Sequence, residues 1–141
     1  MAVSTIQPVR GARSALSPTA RTTLNRRPDR GSAERQDLYD VLDVALICHF
    51  GVVIDGSSVV LPTAFGFDPD GPDEGGTLYL HGSVASKSLQ DEPQSNVCVT
   101  FTVLDGLVLA RTGFHLSMNY RCAVVMGRTR KVTDPEEGDV A

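Results

Sequence analysis

The stretch ALICHFGVVIDGSSVVLPTAFGF, residues 45–67, decides the fold because Asp55-Gly56 separates two apolar, alternating runs. An Asp-Gly pair between such runs predicts a two-residue β-hairpin turn, in which both turn residues take positive φ. The same pair recurs at Asp105-Gly106, between NVCVTFTVL and LVLART, and predicts a second tight hairpin. The repeated pattern indicates an antiparallel β protein.

Further strand-like runs and one helix complete the expected architecture. TLYLHG (77–82) and YRCAVVMGRTRKV (120–132) are the additional strands. Ser32 is a possible N-cap for the helix AERQDLYDVLDVA, and DPEE (134–137) resembles the opening of another. About six short strands predict a small antiparallel barrel or sandwich. The expected fold class is mainly β (α+β), with a leading helix and short flanking helices.

Charge divides the 141-residue chain unevenly. Residues 1–35 carry seven arginines against two acidic residues, whereas the remainder carries six basic against fifteen acidic residues. We interpret 1–31 as a basic, partly mobile N-terminal arm and 32–141 as a single domain. Such an arm permits contact with nucleic acid or a membrane surface, but folding back on the acidic body or on a twin subunit is equally natural.

Three cysteines, Cys48, Cys98 and Cys122, lie in apolar runs, which favours buried thiols in a reducing compartment. No secretory signal is visible, although the Arg/Ser/Thr-rich start would also suit an organellar transit peptide. The longest apolar run, 44–54, falls short of the roughly 20 residues of a membrane span. We therefore expect a cytoplasmic protein.

Metal and hydrolase sites are not expected. Cys48 and His49 point to opposite faces of a strand, and the chain lacks Cys-x-x-Cys and His-x-x-x-His spacing. Gly82-Ser83 does not complete the nucleophile elbow of a serine hydrolase.

The stretch LYLHGSVASKSL (78–89) favours an anion site. A helical turn from Ser83 would present free N–H groups, and Ser86, Ser88 and Lys87 would add hydroxyls and a positive charge. A phosphate group suits these donors. The alternative is an N-cap serine followed by a solvated lysine.

Two more stretches contribute candidate residues. In LPTAFGF (61–67), Pro62, Ala64 and Gly66 share a face without bulk, against which a flat ring can lie. The alternative is an irregular edge strand. In HLSMNYRCAVVMG (115–127), Arg121 lies on a small, apolar face and calls for an anionic partner, which a surface salt bridge would also provide.

Together these stretches resemble the pyridoxamine 5'-phosphate oxidase-like family of FMN-binding split barrels, in particular its flavin-nucleotide-binding branch related to nitroimidazole-resistance proteins. The resemblance covers roughly residues 18–137 and rests on six stretches in order. They are RTTLNRRPDRG, LYDVLDVALICHFGVV, VVLPTAFGFD, LYLHGSVASKSL, LDGLVLAR and HLSMNYRCAVVMGR.

The resemblance implies a split β-barrel with FMN in a groove at the interface of a homodimer. The ring edge would meet the strand matching Pro62–Phe65, and the phosphate would meet the segment matching His81–Ser88 and the strand matching Tyr120-Arg121. With the donors that precede Tyr120, the expected cofactor-binding residues are Pro62, Thr63, Ala64, Phe65, His81, Gly82, Ser83, Ser86, Lys87, Ser117, Asn119, Tyr120 and Arg121.

The function expected from this resemblance is that of an FMN-dependent oxidoreductase with an unknown substrate and no assigned catalytic side chain. His49, His81 and His115 are candidates for steering a proton, with structural roles as the alternative. The rival function is that of a non-catalytic flavin or haem carrier or sensor, and a nucleic-acid-associated protein is a third, less favoured one. Two departures from the family are Cys122, where relatives usually have Ser, and an early end at Ala141. With the early end, either the pocket is more open, another chain supplies its wall, or the flavin affinity is impaired.

Overall fold

The computed structural model describes residues 3–8, 15–16, 19–73, 75–81 and 96–134. Within these residues the chain forms seven β-strands, one α-helix and two short 3₁₀ helices. The strands are β1 (Val3–Pro8), β2 (Cys48–Ile54), β3 (Ser57–Thr63), β4 (Phe65–Asp68), β5 (Thr77–His81), β6 (Asn96–Val108) and β7 (Ser117–Lys131). The helix α1 spans Arg35–Val44, and the 3₁₀ helices span Pro28–Arg30 and Gly113–His115.

One antiparallel sheet with the order β3-β2-β6-β7-β1-β5-β4 contains all seven strands. Its two edge strands, β3 and β4, are consecutive in the chain and separated only by Ala64. The sheet therefore curls until its edges meet at this residue. The main-chain N–H of His81 donates a hydrogen bond to the Ala64 carbonyl at 3.3 Å, and the Thr63 hydroxyl donates one to the His81 carbonyl at 2.6 Å. This closure confirms the predicted antiparallel split barrel.

The first Asp-Gly hairpin is confirmed. Asp55 and Gly56 have φ of 49° and 74°, so both turn residues occupy the left-handed region that the pattern requires. Ile54 pairs with Ser57 directly beside the turn, and the pairing of β2 with β3 continues without a shift to Cys48 and Thr63.

The second predicted hairpin turn is wrong. β6 continues through Asp105-Gly106 to Val108, and the connection to β7 lies at 109–116 instead. Neither Asp105 nor Gly106 has positive φ. The pairing instead shifts between Leu104 and Gly106, which makes Asp105 the extra residue of a β-bulge. Leu107 and Val108 pair with β7 beyond the bulge, so strand pairing overrides the local turn signal.

The leading helix is confirmed, although it begins later than a cap at Ser32 would place it. Its N-cap is Glu34, and the Ser32 hydroxyl accepts a hydrogen bond from the Glu34 N–H at 3.0 Å. The side chains of Val41 and Leu42, on one face of α1, are buried. α1 therefore packs against the core of the barrel through the apolar face that the sequence predicted.

The core fills the interior of the barrel. Phe50, Val99, Phe101 and Cys48 are almost completely buried, and the Phe65 ring packs edge-to-face on Phe101 with 4.7 Å between ring centroids. Rings in this geometry gain about 0.5–1.5 kcal/mol beyond the burial of their area. This ring contact packs β4 against β6 across the interior of the barrel.

Part of the predicted arm lies in the sheet. β1 pairs with β7 on one side and with β5 on the other, and Ala15 bridges to Glu34. The domain boundary at residue 31 stays a prediction. The predicted helix opening at DPEE lies outside the described residues except for Asp134. Among the described helices, none has the length and apolar character needed to cross a membrane.

Candidate functional site

The meeting point of the two sheet edges brings five of the sequence-predicted residues together. We call Pro62, Thr63, Ala64, Phe65 and His81 the barrel seam. Pro62 and Ala64 are exposed, whereas Thr63 and Phe65 are half-buried and turn toward the core. Because β3 is an edge strand, its main chain leaves donors and acceptors open on the side away from β2. The seam thus offers an exposed, bulk-free surface with main-chain hydrogen-bonding groups.

The outer surface of the barrel continues from the seam across three more strands. Pro62 pairs with His49, His49 with Thr100 and Thr100 with Val124, so these four side chains share one face. We call these four residues, together with the Leu104–Tyr120 pair farther along β6 and β7, the outer face. Pro62, His49 and Val124 are exposed and Thr100 is half-buried. The outer face is therefore a shallow, mostly uncharged surface beside the seam.

Tyr120 and Arg121 lie on opposite faces of β7, as strand alternation predicts. Tyr120 pairs with Leu104 on the outer face, where both side chains are about half exposed. Arg121 lies on the same side of the strand as Ser117 and Asn119. A flat ligand on the outer face therefore lies on the same side of β7 as Tyr120, and Arg121 lies on the opposite side. Such a ligand reaches Arg121 of the same copy only around the edge of β7, or it contacts Arg121 of a second copy instead.

The anionic partner of Arg121 in this structure is Asp105. The guanidinium donates from Nε at 3.0 and 3.3 Å and from Nη2 at 2.8 Å, which is a two-pronged contact with the carboxylate. The hydrogen bonds from Arg121 lower the pKa of Asp105, and the same contact raises the pKa of Arg121. The salt bridge that the sequence left open for Arg121 is therefore present.

Gly82, Ser83, Ser86 and Lys87 lie outside the described residues. They follow His81 directly in the chain, so the segment predicted to bind phosphate starts at the barrel seam. Their part in binding stays a prediction.

Cys48 is a structural residue next to the seam. It pairs with Thr63 across β2 and β3, and its thiol donates to the Thr63 carbonyl at 3.6 Å. Burial raises the pKa of this thiol to about 11. Because the thiolate is the reactive form, Cys48 remains an unreactive, apolar side chain at neutral pH.

Three features were missed by reasoning from the sequence. Asp105 was assigned to a turn, and no local signal links it to Arg121 sixteen residues later. His49 was named without its position in register with Pro62, which the alternation of both strands would have supported. The third is the tip of the β6–β7 hairpin, since residues 102–108 and 117–122 pair only with each other among the described strands.

Large apolar side chains are exposed on this hairpin tip, defined as residues 102–122. Phe114 is 93% exposed and Leu109 is 82% exposed. The others that are at least partly exposed are Leu104, Leu107, Val108, Leu116, Met118 and Tyr120. Monomeric proteins rarely present so many large apolar groups together, so this surface is a candidate interaction site.

Comparison with known proteins adds a family and two similar structures. The family model described as Pyridoxamine 5'-phosphate oxidase matches residues 34–141. The flavocytochrome Anf3 from Azotobacter vinelandii is 29% identical, with a TM-score of 0.68 over 84% of this chain and 52% of that one. The FAD and heme binding protein from Mycobacterium smegmatis is 35% identical, with a TM-score of 0.58 over 69% of this chain and 45% of that one. The chain thus spans about half the length of both proteins, and no curated protein matches it.

Proposed function

The chain belongs to the pyridoxamine 5'-phosphate oxidase family, and we propose that it is an FMN-binding, oxidoreductase-like protein with the flavin at an interface between two copies. The observation that carries this proposal is the barrel seam, where Pro62 and Ala64 are exposed beside an open strand edge. The two similar structures support it, because one is a flavocytochrome and the other a FAD and heme binding protein.

The residues of the seam fit the flat ring of a flavin. Pro62 and Ala64 place no large side chain above the outer side of the strand, and the neighbouring main chain can hydrogen-bond to polar atoms at a ring edge. Pro62, Thr63, Ala64 and Phe65 would hold the ring, and His81 would lie beside it. When bound, FMN supplies the hydride or electron transfer, and the protein supplies position and electrostatics.

The phosphate end of FMN needs cationic and hydroxyl donors. Arg121, with Ser117 and Asn119 on the same side of β7, would supply part of them. Lys87 and the serines of the segment after His81 would supply the rest. Charge-assisted hydrogen bonds of this kind are about twice as strong as neutral ones, so Arg121 and Lys87 would contribute most to phosphate binding.

A second copy of the chain is the partner that we propose for the hairpin tip. A two-stranded hairpin without a covering layer is at best marginally stable in water. The apolar side chains of the tip would be buried if two copies exchanged this contact around a two-fold axis. Such a pair would also place residues of one copy next to the outer face of the other.

The visible spectrum of the purified protein, with two seam variants, tests flavin binding. We expect a yellow protein with two flavin bands, and we expect Pro62→Trp to weaken FMN binding at least about tenfold by filling the ring position. Ser58→Trp is the matched control, because Ser58 is an exposed residue on the same face of β3, four positions from Pro62. Circular dichroism should show the same β content for both variants.

Two results would contradict the proposal. One is a colourless protein that binds no flavin after incubation with excess FMN. The other is a Pro62→Trp protein that binds FMN as tightly as Ser58→Trp does.

A second candidate function is that of a flavin or haem carrier or sensor without turnover. Its support is that one similar structure is a flavocytochrome and the other a FAD and heme binding protein, and that His49 is exposed on the outer face in register with Pro62. A red protein with a Soret band would favour it. For a yellow protein, reduction of the flavin by NAD(P)H and reoxidation by an added acceptor over many cycles would favour the oxidoreductase instead.

A further inference from the structure

The β-bulge in β6 turns an acidic side chain toward the cation of the proposed phosphate site. Leu104 pairs with Tyr120 and Gly106 with Asn119, so Asp105 is the additional residue between them. Bulges commonly re-aim a side chain in this way, and they concentrate near functional sites. As a result, the Asp105 carboxylate meets Arg121 at 2.8 Å.

The surface beside this ion pair is open and polar. Gly106 lies opposite Asn119, and a Cβ atom added at Gly106 would meet nothing within 4 Å. Asp40 of α1 also acts on Arg121 through its charge. Arg121 therefore has one acidic partner in direct contact and feels a second acidic charge, and the surface at Gly106, on the same side of β7, is open.

We propose that Asp105 occupies Arg121 in the flavin-free protein and competes with the phosphate of the incoming cofactor, so that Asp105 sets the preference of the site for FMN over riboflavin. This inference rests on the proposed function, because it assumes that the phosphate reaches Arg121. It concerns selectivity, and it does not concern the binding of the flavin ring.

The geometry supports competition because a carboxylate and a phosphate use the same guanidinium donors. Asp105 takes hydrogen bonds from both Nε and Nη2, the two-pronged arrangement that a phosphate oxygen pair would also require. The side chains are 46% and 39% exposed, so water and ions can reach both partners and the pair is displaceable. The free energy needed to displace Asp105 from Arg121 lowers the affinity of the site for the FMN phosphate.

The chain contains a matched ion pair for a control. Arg27 contacts Asp29 in the same two-pronged way, with Nε at 3.0 Å and Nη2 at 2.8 Å from the carboxylate oxygens. Both side chains are 59% exposed. Asp29→Asn removes the same formal charge as Asp105→Asn, but it does so at a pair that no proposed binding residue uses.

The test is a titration of flavin-free protein with FMN and with riboflavin, in which quenching of the flavin fluorescence reports binding. The measured quantity is the ratio of the riboflavin and FMN dissociation constants. We expect Asp105→Asn to raise this ratio about two- to fivefold, the range that loss of one exposed ion-pair competitor allows. Arg121→Met should lower the ratio, the double variant should match Arg121→Met, and Asp29→Asn should match the unmodified protein.

The outcomes separate this inference from the proposed function. If all variants bind both flavins but Asp105→Asn leaves the ratio unchanged, the competition is wrong and the flavin site stands. An equal increase for Asp29→Asn would also overturn the inference, since it would reflect net charge alone. If the unmodified protein and every variant bind neither flavin, the proposed function fails and the inference fails with it.

Discussion

The two Asp-Gly pairs of this chain adopt different backbone conformations, although both follow an apolar strand and precede another apolar run. Asp55 and Gly56 have positive φ and form the turn of the β2–β3 hairpin. Asp105 and Gly106 remain within β6, where the pairing with β7 shifts by one residue. The first pair ends a strand, whereas the second bends one.

The difference follows from what surrounds each pair. β2 and β3 are seven residues each, and their pairing ends where the turn begins. β6 and β7 are thirteen and fifteen residues long, and their pairing continues past Gly106 to Val108 and Ser117. A two-residue turn is favoured only where the strands stop together. The first hairpin therefore belongs to the barrel wall, and the second extends past its paired neighbours.

The largest expected effect separates the barrel wall from the hairpin tip. Phe101→Ala removes a ring with 0% exposure and should cost about 3–5 kcal/mol of unfolding free energy, because it leaves a cavity in the core. Phe114→Ala removes a ring that is 93% exposed, so within one copy it should change stability by less than about 0.5 kcal/mol. Urea unfolding measures both.

The same pair of variants tests the proposed contact between copies. Phe114→Ala should shift light scattering toward the monomer mass at low protein concentration, because apolar area buried between copies is lost. A Phe114→Ala protein that stays dimeric at every concentration would argue against a role for the tip, and a Phe101→Ala protein as stable as the original would contradict the barrel core.

The sequence predicted the features of this fold that depend on neighbouring residues. Alternation placed Tyr120 and Arg121 on opposite faces, and the helix pattern placed Val41 and Leu42 against the core. Closure of the barrel at Ala64 joins the two ends of a seven-stranded sheet, and it was expected from the family resemblance rather than from any local pattern. β1 was missed because Val3–Pro8 has no clean alternation and its partners lie far along the chain.

The candidate site was predictable to the same extent. Exposure of Pro62 and Ala64 follows from strand alternation within one short segment. The contact between Asp105 and Arg121 depends on a one-residue shift in pairing, which side-chain preferences in either strand do not reveal. The faces of residues that share a strand were therefore predicted as the structure shows them, whereas the contact of a pair that a bulge brings together was not predicted.

A pH-dependent difference between the hairpins is the next expected effect. Burial of Cys48 at the start of β2 raises its pKa from 9.0 to about 11, so the unfolded chain loses this proton at a lower pH than the folded chain does. The associated stability is fully present below pH 9 and is lost as the pH rises toward about 11. Linkage gives a loss of about 2–3 kcal/mol over this window.

Variants of two cysteines isolate that contribution. Cys48→Ala should remove this part of the decline in urea midpoint between pH 8 and pH 11, while other groups titrate equally in both proteins. Cys122→Ala is the matched control, since it removes an exposed thiol from the second hairpin, and its decline is compared with that of Cys48→Ala. If the unmodified protein and Cys48→Ala lose stability in parallel, the thiol of Cys48 is not buried as the structure describes.

The smallest expected effect bears on the two Asp-Gly pairs themselves. Gly56→Ala forces a side chain into a φ of 74°, and the left-handed conformation should cost about 1–2 kcal/mol of unfolding free energy. Gly106→Ala should leave stability unchanged or raise it by up to about 1 kcal/mol, since Gly106 lacks positive φ and its added Cβ meets no atom within 4 Å. Urea unfolding at neutral pH compares the two variants directly. Equal losses at both positions would mean that Asp105-Gly106 also forms a turn, and the bulge that aims Asp105 at Arg121 would have to be abandoned.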